Sequence, residues 1–541
     1  MVNFIKTGVF VLVGLIILQS AEKVLEGKRN QPSNFEEGAP QIFQQFYDLE
    51  RDSLEVVFLG KSSVKLAVSP VQIYEDSSIV TYNLASCSQP IELSYYLLHE
   101  VFKNQSPKIV FLDISALFRD DTGEGISWHF VMDEMPLSIN KMRAAFAYTY
   151  RENRNLLSIL SPLYYYHARW DELTENDFRR QSDEGYYYTA GQYLTSLVSG
   201  TGLTYDNVNS EIRAMNAREG IKREYSDNTY CEYKIDGKLY EAVLNQNAIA
   251  YMKDMKNLCE KHDTELVLLK IPAIGMPQSY HGSWSYDKYL MIKEFCNETE
   301  IPFLDMVYDA DYMAEINWKE DTVDGGIHLN IRGAEKVTDC IVAYLNEQNL
   351  ERRIDERYYQ FTQDYDRVKQ ICMLQSEYDL LKYIDRILEN ENYTVILSSQ
   401  NDFQAGLSED ILDALSRLGL QSSFTDGVRD SFIGIIDRHE VIYEAVSNRK
   451  LIYDNFLPGG GKISIVSSGL NEGSYSSIAI DGKEYSANKC GLNFVIYDNN
   501  AKVVVDSVAF NTSSMSVDGF RNITAVLGYL SQYKQIINSH K

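Results

Sequence analysis

Two residues far apart in the chain have the types and settings that nucleophilic chemistry needs. Ser62 follows a mostly apolar run from Leu54 to Leu59 that reads as a buried strand, ended by Gly60 and the polar Lys61-Ser62-Ser63. The loop after a first strand is where an open α/β sheet presents reacting groups, at the carboxyl ends of its strands. A serine hydroxyl is a weak nucleophile until a base takes its proton, and that base needs a third group to fix its tautomer. The chain offers Asp324-Gly325-Gly326-Ile327-His328-Leu329-Asn330, just before the last helix of the same region. Its glycines let the loop reach back across the sheet edge, His328 is the candidate general base, and Asp324 is the candidate orienting carboxylate. Taken singly, a serine after a strand is a turn and a Gly-rich loop is a loop; only the combination points to chemistry.

The elements that must position these residues follow from hydrophobic patterning. Ile109-Val-Phe-Leu112 and Leu266-Val-Leu-Leu269 are short, wholly apolar runs separated by helical stretches such as Ile91 to Phe102 and Asn247 to Lys261. Buried strands alternating with helices predict an α/β fold with a parallel sheet covered on both faces. The last helix of this unit is predicted from about Gly333 to Leu345, with Val337, Ile341, Val342 and Leu345 on one face. Lys270, closing a strand in Leu269-Lys270-Ile271-Pro272, either faces the same cleft or is a solvated strand-end lysine, the reading preferred here.

The order of these blocks resembles the SGNH (GDSL-like) hydrolase superfamily. Val57-Phe-Leu-Gly-Lys-Ser62-Ser63, Tyr82-Asn-Leu-Ala85-Ser86, Lys108-Ile-Val-Phe-Leu-Asp113 and Asp324-Gly-Gly-Ile-His328, followed by Gly333-Ala-Glu-Lys336, are similar to its extracytoplasmic, membrane-anchored branch. That branch contains the D-alanyl transfer protein of teichoic acid modification and polysaccharide O-acetyltransferases. Over residues 46–350 the resemblance implies acyl-ester chemistry: Ser62 attacks, His328 moves the proton, Asp324 supports the imidazolium, and the backbone amides of Ser62 and Ala85 bind the oxyanion. Ala85 stands where the family offers a glycine, and no third-block asparagine is evident. The spacing from Asp324 to His328 is four rather than three, which leaves the orienting role open between Asp324 and a residue such as Asp321.

Beyond a charged, helix-prone connector at 351–390 the pattern changes to short β-type runs: Tyr393 to Leu397, Phe432 to Ile436, Ile463 to Val466, Ser477 to Ile480, Phe494 to Tyr497 and Val503 to Val508. One helix, Ser408 to Leu418, sits among them, and a helical tail is predicted over 516–541. Gly427-Val-Arg429-Asp430-Ser431-Phe432, Ile478-Ala-Ile-Asp-Gly482 and Gly491-Leu-Asn493-Phe-Val-Ile-Tyr-Asp498 resemble the interleukin-like inducer (ILEI/PANDER) domain, a compact strand-rich, β-sandwich-like, lectin-like module. Over 391–515 the resemblance implies glycan binding, with Arg429, Asp430 and Asn493 as candidate contacts. The opposing expectation is that Arg429-Asp430 is a structural ion pair and Asn493 a strand cap.

Composition bounds the partners. The chain has 541 residues, 45% apolar, with 51 Lys plus Arg against 77 Asp plus Glu, a formal charge of −26. Such a chain folds into more than one core and repels phosphate backbones, which argues against nucleic acid. Its seven cysteines (87, 231, 259, 296, 340, 372, 490) have neither C-x-x-C nor zinc-ligand spacing, so no metal, cofactor or disulfide framework is expected. Thirty-nine tyrosines, clustered at Tyr164-Tyr166 and Tyr186-Tyr188, are suited to sugar rings or to half-buried packing. Gly8 to Leu18 is an unbroken apolar run that reads as an export signal, either cleaved or, the reading preferred because no convincing A-x-A site follows, retained as an anchor over 1–21, with a tether over 22–45. Lys23, Lys28 and Arg29 outnumber Lys6, so the flanks do not set orientation; the family resemblance places the bulk outside, a single-pass protein of the cell membrane.

Together these readings anticipate a surface-anchored serine acyltransferase or carbohydrate esterase acting on O-acyl groups, chiefly O-acetyl, of a cell-envelope glycan. The resemblance implies a membrane-bound O-acyltransferase as partner. The alternative is a catalytically silent glycan-binding or scaffolding protein on the same fold.

Overall fold

The computed structural model describes residues 40–117, 125–152, 155–173, 223–227, 230–235, 238–272, 286–306, 314–317, 320–322, 328–424, 429–512 and 516–518. Residues 6, 13–14, 16–18, 20–22, 24–25, 178, 188–189 and 192–193 are described besides. The chain divides into two compact units, and passes from the first to the second between Tyr365 and Asp366.

In the first unit, five strands form a parallel sheet: β1 (Val56–Leu59), β2 (Thr81–Asn83), β3 (Ile109–Asp113), β4 (Glu265–Lys270) and β5 (Phe303–Asp305). Their spatial order is β5-β4-β3-β1-β2. β1 and β3 are apolar along nearly their whole length because both faces are covered, and β1, β2 and β3 are buried at every position. Register aligns the strand ends: Leu59 lies opposite Leu112, Phe58 opposite Asn83, Asp113 opposite Leu269, and Asp305 opposite Lys270. Polar residues of neighbouring strands, Asn83, Asp113, Lys270 and Asp305, thus gather at the carboxyl edge of the sheet.

Helices α1 (Ser62–Ala67), α2 (Pro70–Ser77), α3 (Ile91–Asn104), α4 (Gln246–Lys261), α5 (Tyr286–Thr299) and α6 (Ile331–Asn346) accompany the sheet. The side chain of Ser69 caps α2 by accepting from Gln72 N, and Pro70 stands at its first position. Asn330 caps α6, accepting from Arg332 N and Gly333 N. Val337, Ile341, Val342 and Leu345 of α6, as the periodicity predicts, join Val64, Ala67, Phe58 and Phe111 in one core. Among the described residues no helix is long and apolar enough to cross a membrane. The run Gly8 to Leu18 lies largely outside them.

The second unit holds α7 (Leu380–Leu388) and α8 (Glu409–Arg417) with β6 (Tyr393–Asn401), β7 (Ser431–Asp437), β8 (Glu440–Ser447), β9 (Leu451–Phe456), β10 (Lys462–Gly469), β11 (Tyr475–Ile480), β12 (Gly491–Asp498) and β13 (Val503–Asn511). They belong to a ten-stranded branched sheet in which β6 pairs with β7, β10 and β12. Its core gathers Ile396, Ile433, Ile435, Ile463, Ile465, Ile478 and Val495, residues that alternate inward along their strands. Where the sequence predicts the start of a helical tail, Ser516–Asp518 is a strand paired with β13. Residues beyond 518 lie outside the described ones.

Candidate active site

The apolar β1 ends at Gly60, which permits a close approach: a Cβ there would lie 2.7 Å from Asp113 Cβ and 2.8 Å from Val64 Cγ2. Lys61 then adopts an extended backbone as N-cap, and Ser62 opens α1. Ser62 Oγ lies 2.7 Å from His328 Nε2, across 266 residues of sequence. With the neutral imidazole protonated at Nδ1, the hydroxyl donates to Nε2, the arrangement from which a base removes a nucleophile's proton.

A clamp at the base of its loop fixes His328. Thr322 and Leu329 form an antiparallel bridge, Asn330 N donates to Asp321 O at 2.9 Å, and Asn330 Nδ2 donates to Glu320 O at 2.7 Å. Both arms of the loop are therefore tied immediately before α6, whose Gly333 must lack a side chain because a Cβ would lie 2.5 Å from Asp321 O. Asp324, the candidate orienter, lies outside the described residues. Asp321, the other candidate, is buried, and its Oδ2 accepts from Asn317 N at 2.8 Å and Lys336 Nζ at 2.6 Å. Its carboxylate serves as a staple between the loop and α6.

The two amides expected at an oxyanion differ. The Ser62 amide lies in the first turn of α1, where no preceding helical carbonyl can receive it. The Ala85 amide donates to Asn83 Oδ1 at 3.1 Å, and Asn83 Nδ2 donates in turn to Val64 O at 3.0 Å and Val68 O at 3.2 Å. Asn83 thus ties the end of β2 to the carbonyls that close α1.

Sequence reasoning missed the polar row beneath Ser62. Asp113, nearly buried at the end of β3, accepts three hydrogen bonds: from Ser63 Oγ at 2.9 Å, Ser115 N at 2.9 Å and Ser115 Oγ at 2.5 Å. Lys270, read as solvated, is instead 5% exposed. Burial pushes its pKa down, while the Asp305 and Asp113 carboxylates pull it back up. The available signal was a charged residue closing a wholly apolar run, in Ile109-Val-Phe-Leu-Asp113 and Leu266-Val-Leu-Leu-Lys270 alike.

In the second unit, Arg429 has a positive φ of 58°, and its Nε lies 3.4 Å from Asp402 Oδ2, so its ion-pair partner is Asp402 rather than the adjacent Asp430. Asp430 N donates to Gln404 Oε1 at 3.0 Å. Asn493 is fully buried; it accepts from Lys489 N at 3.1 Å and donates to Lys489 O at 2.8 Å. That side chain caps a loop and presents nothing to a sugar. Of the first tyrosine cluster, Tyr166 is buried and Tyr164 exposed, while Tyr165 stacks on buried His129 at 3.8 Å. Among the described residues no cluster of three or more His, Cys, Asp or Glu side chains is arranged to hold a metal.

No protein-family model matches the chain, and no curated protein matches it. Among solved structures it is similar to a "putative acylhydrolase" from Bacteroides fragilis, at 12% identity and a TM-score of 0.27, over 57% of this chain and 95% of that one. It is also similar to a GDSL-like lipase from Bacteroides thetaiotaomicron, at 10% identity and a TM-score of 0.26, over 57% of this chain and 96% of that one.

Proposed function

We propose that the first unit is a serine-dependent O-acyl esterase or acyltransferase, with Ser62 as nucleophile and His328 as general base. The observation that carries this reading is the 2.7 Å approach of Ser62 Oγ to His328 Nε2 at the carboxyl edge of a parallel sheet. Ser62 Oγ bonds to the carbonyl carbon of an ester as its proton passes to Nε2. Negative charge collects on the former carbonyl oxygen, opposite the Ser62 amide. Collapse expels the alcohol, which takes the proton from His328 and leaves an acyl-Ser62. Water or a sugar hydroxyl, deprotonated by His328, then attacks the acyl carbon and frees the serine. Asp324 is the proposed group on the far side of the imidazole.

In the same reading the substrate is an O-acetylated cell-envelope glycan and the apolar N-terminal run holds the chain at the cell membrane, with its bulk outside. A membrane-bound O-acyltransferase is the proposed acyl source for the transferase variant. The second unit is proposed as a glycan-binding module in which Arg429, half exposed with its guanidinium beside Asp402, supplies a planar donor fork. Asp430 lies beside it.

A second reading, a catalytically silent glycan-binding protein, draws on the Ala85 amide being occupied by Asn83. The full chain, incubated with a fluorophosphonate and separately with an acetyl ester, separates the two. Labelling and turnover in the wild type, both lost in Ser62→Ala and His328→Ala, support the enzyme; a folded wild type that takes no label supports the silent protein.

A further inference from the structure

We propose that Asp113 is a positioning residue for Ser62, acting through the hydroxyl of Ser63; the inference rests on Ser62 being the nucleophile.

Three donors converge on the Asp113 carboxylate: the Ser63 and Ser115 hydroxyls on Oδ2, and the Ser115 amide on Oδ1. Only one of the three comes from the turn that carries Ser62. The other two belong to the residue that follows Asp113 by two, so they lock the carboxylate's own orientation and leave Ser63 as the group being positioned. Asp113 closes β3, directly alongside β1, and packs so closely on the turn that Gly60 has no room for a side chain. The turn is thereby held at both ends of a four-residue span, by Gly60 against Asp113 Cβ and by Ser63 Oγ against Asp113 Oδ2. Ser62 lies inside that span with its hydroxyl directed at His328.

A carboxylate is required for this task. An asparagine at 113 offers one acceptor oxygen, so its amide group must face either the two hydroxyls or the Ser115 N–H, and one side loses its acceptor. Burying that charge is costly unless it is compensated. Compensation comes from the three hydrogen bonds that the carboxylate accepts.

The pin is tested with Ser63→Ala, which removes the link to Asp113 and leaves the sheet untouched, and with Ser63→Thr, which restores a hydroxyl. Measured on the full chain are the fluorophosphonate labelling rate, kcat and KM for an acetyl ester, and Tm. Misplacement of a reacting group by about 1 Å costs up to about 100-fold in rate. The expected result is a fall of about tenfold or more in labelling rate and kcat in Ser63→Ala, with KM and Tm little changed and with recovery in Ser63→Thr. Asp113→Asn is expected to lower the same two rates. Labelling and kcat at wild-type level in Ser63→Ala, while Ser62→Ala abolishes both, overturn the positioning role alone. A wild type that takes no label overturns the nucleophile, and the positioning role with it.

Discussion

The amide of Ala85 donates to the side-chain oxygen of Asn83, two residues earlier. Asn83 thereby acts in two directions from the end of β2, accepting from its own turn and donating through Nδ2 to Val64 O and Val68 O of the neighbouring helical turn. Asn83→Asp keeps the shape and the acceptor but removes both donors, and sets a buried carboxylate against two carbonyl oxygens. Loss of a buried partner costs about 1–3 kcal/mol, and more for a charged group. The expected outcome is a clear drop in Tm in thermal unfolding at neutral pH. A variant that melts with the wild type would mean that the Asn83 amide does not hold α1 in place.

Gly60 marks how tightly the Ser62 turn sits on the sheet. In Gly60→Ala the new methyl group meets Asp113 Cβ at 2.7 Å, an atom fixed by the backbone of β3 and by the hydrogen bonds of its carboxylate. Overpacking of this kind costs about 1–3 kcal/mol. Because the strain falls on the turn itself, ester turnover should drop along with Tm. Unchanged values of both would show that the turn has slack.

Asp321 and Asp324 should separate by the kind of damage each causes. The Asp321 carboxylate is engaged with Asn317 N and Lys336 Nζ, so Asp321→Asn should lower Tm more than it lowers kcat. If Asp324 orients His328, Asp324→Asn should cut kcat by on the order of 10³–10⁴ with little change in Tm, the effect of a misdirected tautomer. Kinetics and melting of the two variants decide the matter. The reverse pattern would make Asp321 the orienter.

The strands of the first unit were legible because burial on both faces leaves little but Val, Ile, Leu and Phe in Val56–Leu59 and Ile109–Asp113. The approach of Ser62 to His328 was legible for another reason: a serine after the first strand and a histidine before the last helix occupy edges that a parallel sheet brings together. Side-chain partners set by register could not be read. Asp113 and Lys270 stand on adjacent strands whose segments are more than a hundred residues apart, and only the pairing of Asp113 with Leu269 makes them neighbours. Asn493 was legible in its other reading, as a cap: it stands early in β12 and holds Lys489 N and O through both ends of its amide.

Alkaline pH should unfold the first unit through two buried phenols. Tyr82 donates to Ile42 O at 2.6 Å, Tyr358 donates to Thr81 O, and both are almost fully buried. Burial pushes both phenols well above the ordinary tyrosine value. Below about pH 10 these groups are protonated in the folded and unfolded chains alike, and their contribution to stability is complete. Above it the unfolded chain releases both protons while the folded chain keeps them, so stability falls as pH rises. The slope approaches about 1.4 kcal/mol per pH unit for each phenol. Thermal unfolding followed across this range should show Tm falling beyond about pH 10. Tyr358→Phe, which has no proton to lose, should show a shallower decline from a lower starting Tm. An equal slope in that variant would remove Tyr358 as a source of the alkaline sensitivity.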